Sequence, residues 1–131
     1  MDVKNDLSGG KPTLLIAEDE ESNYLLLKTI LHKYCNLIRA KTGLEALALF
    51  KENEVDLILM DIKMPVMDGY DAARSIRQSK HEDAGRIPIL AMTANAFRED
   101  EEDALAAGMN GHIAKPIDVD ALYRTMSELL R

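Results

Sequence analysis

The sequence has no tryptophan, a single cysteine and few aromatic residues, with four Tyr and two Phe in 131 positions. The lone Cys35 excludes an internal disulfide, which suits a reducing compartment. No apolar run approaches the roughly 18 residues that cross a bilayer, and the polar start from Met1 to Lys11 lacks the apolar segment of a secretory signal. These absences predict a cytoplasmic chain that makes no contact with a membrane.

Positive charge is also scarce. The chain has 16 Lys and Arg against 23 Asp and Glu, a formal net charge of −7. An acidic chain repels nucleic acid phosphates, and the few aromatic side chains provide no platform for stacked bases. We therefore expect no direct binding of nucleic acid. What the sequence does have is a hydrophobic fraction of 47%, which is ample for one packed core in a chain of this length.

The chain divides into a short leader and one domain. Residues 1–11 include Ser8-Gly9-Gly10 and predict a flexible linker or a cloning remnant, and residues 12–131 predict a single domain. Within the domain, five short apolar runs alternate with longer segments of helical spacing. The predicted strands are Thr13–Ala17, Asn36–Ala40, Val55–Met60, Ile87–Met92 and Gly111–Ala114.

Five helices are predicted between and after these strands. The first covers Glu21 to Tyr34, with Leu25, Leu26, Thr29, Ile30 and Tyr34 at helical spacing. The others are recognised by their caps, because a side-chain oxygen before a helix satisfies its free N–H groups. These caps are Thr42 with Glu45 for a helix to about Asn53, Asp68 for one to about Lys80, Asn95 for one to Ala107 that Gly108 stops, and Asp118 for the last.

The alternation of strands and helices predicts the fold class. Strands that alternate with helices of this length form parallel sheets with right-handed crossovers. The runs Leu57–Met60 and Ile87–Met92 are continuously apolar, which indicates strands covered on both faces. We therefore predict an α/β fold, a five-stranded parallel sheet between two layers of helices.

Polar residues follow four of the predicted strands. Glu18 and Asp19 follow the first, Asp61 the third, Thr93 the fourth and Lys115 the fifth. Because the carboxyl ends of parallel strands lie at one edge of a sheet, these residues should meet there. Three converging carboxylates repel one another unless a cation joins them, and hard oxygen ligands of this kind suit Mg²⁺.

This set of residues suits phosphoryl transfer. That chemistry needs a nucleophile, a metal that neutralises phosphoryl oxygens, and donors for the remaining charge. Asp61 is the predicted nucleophile because it follows the central strand and the other two acids flank it. Lys115 supplies a positive charge and Thr93 a hydroxyl donor.

Four segments of the sequence together match one known family. They are Leu14–Glu20 (LLIAEDE), Leu59–Gly69 (LMDIKMPVMDG), Ala91–Ala94 (AMTA) and Ala114–Pro116 (AKP). With these segments in this order, the chain resembles the receiver domains of two-component response regulators over nearly its whole length, from Thr13 to Arg131. The resemblance implies a flavodoxin-like doubly wound fold with strand order 2-1-3-4-5.

The resemblance also implies roles for the site residues. Asp61 becomes the phosphoacceptor, and Mg²⁺ is held by Glu18 or Asp19, by Asp61 and by the backbone carbonyl of Lys63. The phosphoryl group, in turn, is contacted by Thr93 and Lys115, and the Lys115–Pro116 peptide is cis.

The position of the family's aromatic switch residue is occupied here by His112, two residues before Ala114-Lys115-Pro116. Tyr or Phe is commoner there. One interpretation is a half-buried strand residue. The other is a ring that swings inward when Thr93 is drawn to the phosphoryl group, with a charge that makes the switch sensitive to pH.

By this resemblance the domain is a phosphoacceptor switch in two-component or phosphorelay signalling. Its donor is a phosphohistidine on a histidine kinase or on a His-containing phosphotransfer protein. The domain promotes phosphorylation and dephosphorylation of its own Asp61 and is not a conventional enzyme. Phosphorylation changes the face of the fourth helix, fifth strand and fifth helix, which signals to a downstream protein or domain. The sequence is compatible with a monomer and with a homodimer.

Two other functions fit the sequence less well. A Mg²⁺-dependent phosphohydrolase with an Asp nucleophile usually has a second acid two residues later, where this chain has Lys63, and 131 residues leave no room for a substrate-binding cap. A flavodoxin-type cofactor carrier needs a first loop that cradles phosphate, and Glu18-Asp19-Glu20 would repel one.

The setting of the domain stays open. It resembles receivers attached to sensor histidine kinases, which would make it the cytoplasmic part of a membrane-anchored hybrid kinase. A stand-alone regulator is the alternative, since Met1 could be a native start. We expect a DNA-binding effector, if one exists, to be a separate or removed part, since no output domain follows Arg131 in this sequence.

Overall fold

The structure, a computed structural model, describes residues 11–94 and 98–130, without the side chains of 98–100. The predicted linker, apart from Lys11, and the predicted cap Asn95 lie outside these residues. The strands are β1 (Thr13–Ala17), β2 (Asn36–Ala40), β3 (Leu57–Asp61), β4 (Ile89–Thr93) and β5 (Gly111–Ala114). The helices are α1 (Glu21–Leu31), α2 (Gly43–Glu52), α3 (Gly69–Gln78), α4 (Arg98–Ala106) and α5 (Val119–Leu129).

The five strands form one parallel sheet in the order β2-β1-β3-β4-β5. Side chains of each strand alternate between two apolar cores. In β1, Leu14 and Ile16 pack on the side of α1 and α5, whereas Leu15 and Ala17 pack on the side of α2, α3 and α4. Burial of these side chains is the main favourable contribution to folding. The predicted fold class and strand order are confirmed.

Two predicted strand starts were wrong. β3 begins at Leu57 and β4 at Ile89, each two residues later than predicted. The residues predicted to start them, Val55 and Ile87, are 5% and 3% exposed and pack against the core from the preceding loops. Apolar character therefore marked burial correctly, but burial does not require strand pairing.

The predicted apolar face of α1 was wrong in part. Leu25 and Leu26 are 48% and 47% exposed, whereas Leu27 and Leu31 are buried against β1 and β3. The helix also ends at Leu31 and not at Tyr34. Three consecutive leucines are compatible with more than one helical face, so the periodicity alone does not select the buried one.

Three predicted helix caps are confirmed. The Thr42 hydroxyl accepts the N–H of Glu45 at 3.1 Å, and the carboxylates of Asp68 and Asp118 accept N–H groups in the first turns of α3 and α5. The Glu45 carboxylate accepts the N–H of Lys41 at 3.4 Å, one residue earlier than a capping box would have it. None of the helices in the described part of the chain has the length and apolar character needed to span a bilayer.

Arg77 in α3 forms hydrogen bonds with the residues that directly follow α4. Its guanidinium donates from Nε to the carbonyl of Gly108 at 2.9 Å, from Nη1 to the carbonyl of Ala84 at 3.0 Å, and from Nη2 to Asn110 Oδ1 at 2.9 Å. Gly108 has φ +93°, which confirms the predicted stop of the helix, because a glycine adopts this conformation without strain.

Candidate functional site

The structure brings together the five polar residues that the sequence placed at strand ends. Asp61 and Thr93 are the last residues of β3 and β4, so each strand runs one residue further than predicted. Glu18 and Asp19 directly follow β1, and Lys115 directly follows β5. All five lie at the carboxyl edge of the sheet because all five strands are parallel.

Three carboxylates converge at this edge. One oxygen from each of Glu18, Asp19 and Asp61 lies within 4.8 Å of the other two. Glu18 is fully buried and Asp61 is 5% exposed, whereas Asp19 is open to solvent. The ammonium of Lys115 lies 3.2 Å from Asp61 Oδ2 and 3.3 Å from both carboxylate oxygens of Glu18. The cluster therefore has two buried acids, one exposed acid and one cation.

The proximity of these groups changes their proton affinities. Burial, together with a hydrogen bond to Asp61, raises the pKa of Glu18 to about 7, against opposing contributions from Asn23 and Lys115. Burial alone would lower the pKa of Lys115, but the carboxylates of Asp61 and Glu18 outweigh it and the pKa is raised. At neutral pH Glu18 is therefore protonated far more readily than an exposed carboxylate.

This donor set fits a hard metal ion. Carboxylate oxygens are the preferred ligands of small divalent cations, and an exposed third acid leaves space for water ligands. Glu18, Asp19 and Asp61 could hold such an ion. The backbone carbonyl of Lys63 stays a predicted further ligand.

The loop after β3 is fixed against Asp61 on two sides. The N–H of Lys63 donates to Asp61 Oδ1 at 3.3 Å, while the Lys63 side chain is exposed. The first residue of α3, Gly69, lies so close that a Cβ built there would be 2.4 Å from the carbonyl oxygen of Asp61. A side chain at this position would force α3 or β3 to shift, and the tight approach of α3 holds the end of β3.

Asp19 and Asp61 open onto a cavity of about 420 Å³. Asn23 in the first turn of α1 and Tyr70 in the first turn of α3 also line it, and the sequence interpretation gave neither a role at the site. The position of Asn23, one turn after Asp19, is the signal that could have found it. Tyr70 lies nine residues after Asp61 and had no such local signal. Predicted site residues in the lining are Asp19, Asp61, Lys63, Thr93 and Lys115.

Two further expectations concern β5. The Lys115–Pro116 peptide is cis, as the resemblance implied. His112 lies in β5 opposite Ala91 of β4 and is half-buried, which agrees with the simpler of its two interpretations. A switch role for its ring stays a prediction.

Known sequences are similar to this chain along most of its length. The family model described as Response regulator receiver domain matches residues 14–127. Hybrid signal transduction histidine kinase I of Dictyostelium discoideum is 38% identical over 120 residues, which are 87% of this chain and 7% of that kinase. Polar-differentiation response regulator DivK of Brucella ovis is 35% identical over 119 residues, 90% of this chain and 95% of that regulator. The chain spans 7% to 16% of the length of four histidine kinases it matches.

Solved structures of receiver domains are also similar to this chain. The receiver domain of sensor histidine kinase PA1611 from Pseudomonas aeruginosa, with a magnesium ion coordinated in its active site cleft, has a TM-score of 0.84 and 34% identity, covering 92% of this chain and 98% of that one. The receiver domain of Ssk1 from Saccharomyces cerevisiae, crystallised with the histidine phosphotransfer protein Ypd1, has a TM-score of 0.83 and 34% identity, covering 91% and 88%.

These similarities do not favour a phosphohydrolase or a cofactor carrier. They agree with the site, in which an exposed Lys63 stands where a phosphohydrolase usually has its second acid. The sequence, the strand order and the acidic cluster all lead to one conclusion: the chain belongs to the response regulator receiver domain family and is a receiver domain of two-component or phosphorelay signalling.

Proposed function

We propose that Asp61 is the phosphoacceptor of this receiver domain. The observation that supports this most directly is the geometry at Asp61, a buried carboxylate that opens onto the cavity and is neutralised on one side by Lys115 at 3.2 Å. Asp19 is too exposed for a charge-neutralised acceptor, and Glu18 is fully buried, so neither suits an incoming phosphoryl group as well.

The transfer uses the residues already placed around the cavity. A carboxylate oxygen of Asp61 attacks phosphorus, the bond to the donor breaks, and the electron pair leaves with the donor, which takes a proton from solvent. Lys115 stays beside the acceptor and neutralises charge on the phosphoryl oxygens, and the Thr93 hydroxyl lines the same cavity. Subsequent hydrolysis of the acyl phosphate returns the carboxylate to its starting state.

Mg²⁺ is the proposed cofactor. Glu18, Asp19 and Asp61 would hold it, with the backbone carbonyl of Lys63 as a further ligand. When bound, the ion supplies positive charge against the phosphoryl oxygens. The related PA1611 receiver, whose structure contains magnesium in the active site cleft, supports this choice of metal.

The proposed donor is a phosphohistidine on a histidine kinase or a His-containing phosphotransfer protein. The complex of the related Ssk1 receiver with Ypd1 supports a partner of the second kind. The proposed output is a change in the face formed by α4, β5 and α5, with Thr93 and His112 as the residues that respond. That face would bind a downstream protein or domain. Relatives include both a hybrid kinase and the regulator DivK, and either setting suits this chain.

The test is the intact mass of the protein after incubation with acetyl phosphate, with and without Mg²⁺. We expect a Mg²⁺-dependent gain of one phosphoryl group that is absent in Asp61→Asn. Asp71→Asn is the matched control, because it makes the same chemical change at an exposed acid in the first turn of α3. An equal gain in Asp61→Asn, or no gain in the wild type, would refute the proposal.

A further inference from the structure

The loop that holds Glu18 and Asp19 is contacted by an arginine from the neighbouring strand. Arg39 in β2 donates from Nε and from Nη2 to the backbone carbonyl oxygen of Glu18, at 3.3 and 3.2 Å. Two donors on one carbonyl restrict its direction as well as its distance. This oxygen belongs to the peptide that joins Glu18 to Asp19, so its orientation affects both acids.

The same guanidinium is held in place by α1. Its Nη1 pairs with the Glu21 carboxylate at 2.5 Å, and its Cζ lies 4.4 Å from the ring centroid of Tyr24. The Arg39 side chain is only 14% exposed. Ordering a long side chain costs conformational entropy, and this set of contacts offsets that cost. Arg39 therefore joins β2, the loop after β1 and the first turns of α1.

The peptide groups on both sides of Glu18 are thereby fixed. The N–H of Glu18 donates to the carbonyl of Ala40 at 3.0 Å, and its carbonyl accepts from Arg39. Asp19, in contrast, is exposed, and among the described contacts no hydrogen bond fixes its carboxylate. The direction of the Asp19 side chain therefore depends on the Glu18–Asp19 peptide before it, and Arg39 hydrogen-bonds to that peptide.

We propose that Arg39 is a positioning residue for the metal site, and that it raises Mg²⁺ affinity by fixing the Glu18–Asp19 peptide. This inference rests on the proposed binding of Mg²⁺ by Glu18, Asp19 and Asp61. Arg39 has two effects of opposite sign. Its positive charge repels a metal cation, so loss of the charge alone would strengthen Mg²⁺ binding. Loss of the two hydrogen bonds frees the loop and thereby weakens Mg²⁺ binding.

The experiment is calorimetric titration of the metal-free protein with MgCl₂ for the wild type, Arg39→Met and Lys41→Met. Lys41 is the matched control, because it is an exposed cation directly after β2 and its side chain makes no described contact with the loop. We expect Arg39→Met to weaken Mg²⁺ binding by about 10-fold, the lower end for such residues because loss of the repelling charge opposes the effect. Lys41→Met should leave binding unchanged or slightly tighter.

A second measurement separates positioning from general damage. The rate of phosphorylation by acetyl phosphate should fall for Arg39→Met at low Mg²⁺ and return to the wild-type rate at saturating Mg²⁺. Arg39→Lys, which keeps the charge but cannot donate twice with the same planar geometry, should also bind Mg²⁺ more weakly. This variant gives the same test should Arg39→Met fail to fold in a thermal scan without metal.

The outcomes are distinguishable. Unchanged or tighter Mg²⁺ binding by Arg39→Met and Arg39→Lys, beside normal binding by the wild type, would overturn the positioning role and leave the proposed function standing. A wild type that binds no Mg²⁺ would overturn the proposed metal site and this inference with it. Weaker binding by both Arg39 variants, with Lys41→Met unaffected, supports the role.

Discussion

Val66, in the loop after the acceptor strand, has an unusual backbone conformation. Its φ is +71°, and the N–H of Met67 donates to the carbonyl of Pro65 at 2.8 Å, which closes a three-residue turn around it. A β-branched residue is strained at positive φ. The side chain is 85% exposed and gains little from packing that could offset the strain. The turn follows Asp61 by five residues.

Val66→Gly should therefore stabilise the protein. Relief of the strained φ should exceed the entropy that glycine adds to the unfolded chain, for a net gain of about 0.5–1 kcal/mol in the free energy of unfolding. Urea denaturation followed by circular dichroism measures this. Val119→Gly is the control: Val119 is the first residue of α5 and partly exposed, so its replacement should destabilise. A loss of stability in Val66→Gly would show that the turn is not strained.

At the scale of elements, α3 and β3 approach each other through a glycine. Gly69 begins α3, and a Cβ built on it would lie 2.4 Å from the carbonyl oxygen of Asp61 and 2.9 Å from Cα of Ile62. Both of these atoms are backbone and cannot move aside as a flexible side chain would. A larger residue at this position must displace the start of α3 or the end of β3, where Asp61 lies.

Gly69→Ala should destabilise the protein by about 1–3 kcal/mol, as overpacking of a rigid contact does. Gly85→Ala is the matched control, because a Cβ built there meets nothing within 4 Å. Its stability should stay within about 0.5 kcal/mol of the wild type. Chemical denaturation of both variants measures their free energies of unfolding. Equal stabilities for the two variants would mean that α3 shifts without cost.

The sequence predicted the order and type of every element because periodicity and caps are local signals. It also predicted which strand ends meet, since parallel strands place their carboxyl ends at one edge. It could not predict that Val55 and Ile87 stay outside β3 and β4, because burial from a loop and burial in a strand look alike in sequence. The contact of Arg39 with Glu18 was also beyond it, since 21 residues separate the two and the register of β1 against β2, with Ile16 opposite Arg39, brings them together.

At the scale of the whole molecule, folding concentrates negative charge at one edge of an already acidic chain. Glu18 and Asp61 are 43 positions apart in the sequence, and a hydrogen bond joins their side chains in the fold. The pKa of Glu18 rises from its ordinary value of 4.5 to about 7, so the folded state binds more protons than the unfolded state in that range. Global stability must then fall as pH rises through this window.

Glu18→Gln should remove this pH dependence. Without metal, the wild type should lose about 1–3 kcal/mol relative to the variant between pH 4.5 and pH 7, and little more above it. Urea denaturation at pH 5, 6, 7 and 8 measures the difference. Glu128→Gln, at an exposed acid in α5, is the control and should follow the wild type. A constant difference between wild type and Glu18→Gln across this range would refute the raised pKa.

The three hydrogen bonds of Arg77 have a consequence for how α4 can move. They fix the residues just after this helix to α3 and to the loop before β4. A rigid rod held at one end rotates about that end and does not slide. The nine residues of α4 place its first turn about 12 Å from its last. Any displacement transmitted to α4 should therefore be largest near Arg98, beside the acceptor edge. It should be smallest at Gly108, about which the helix would rotate.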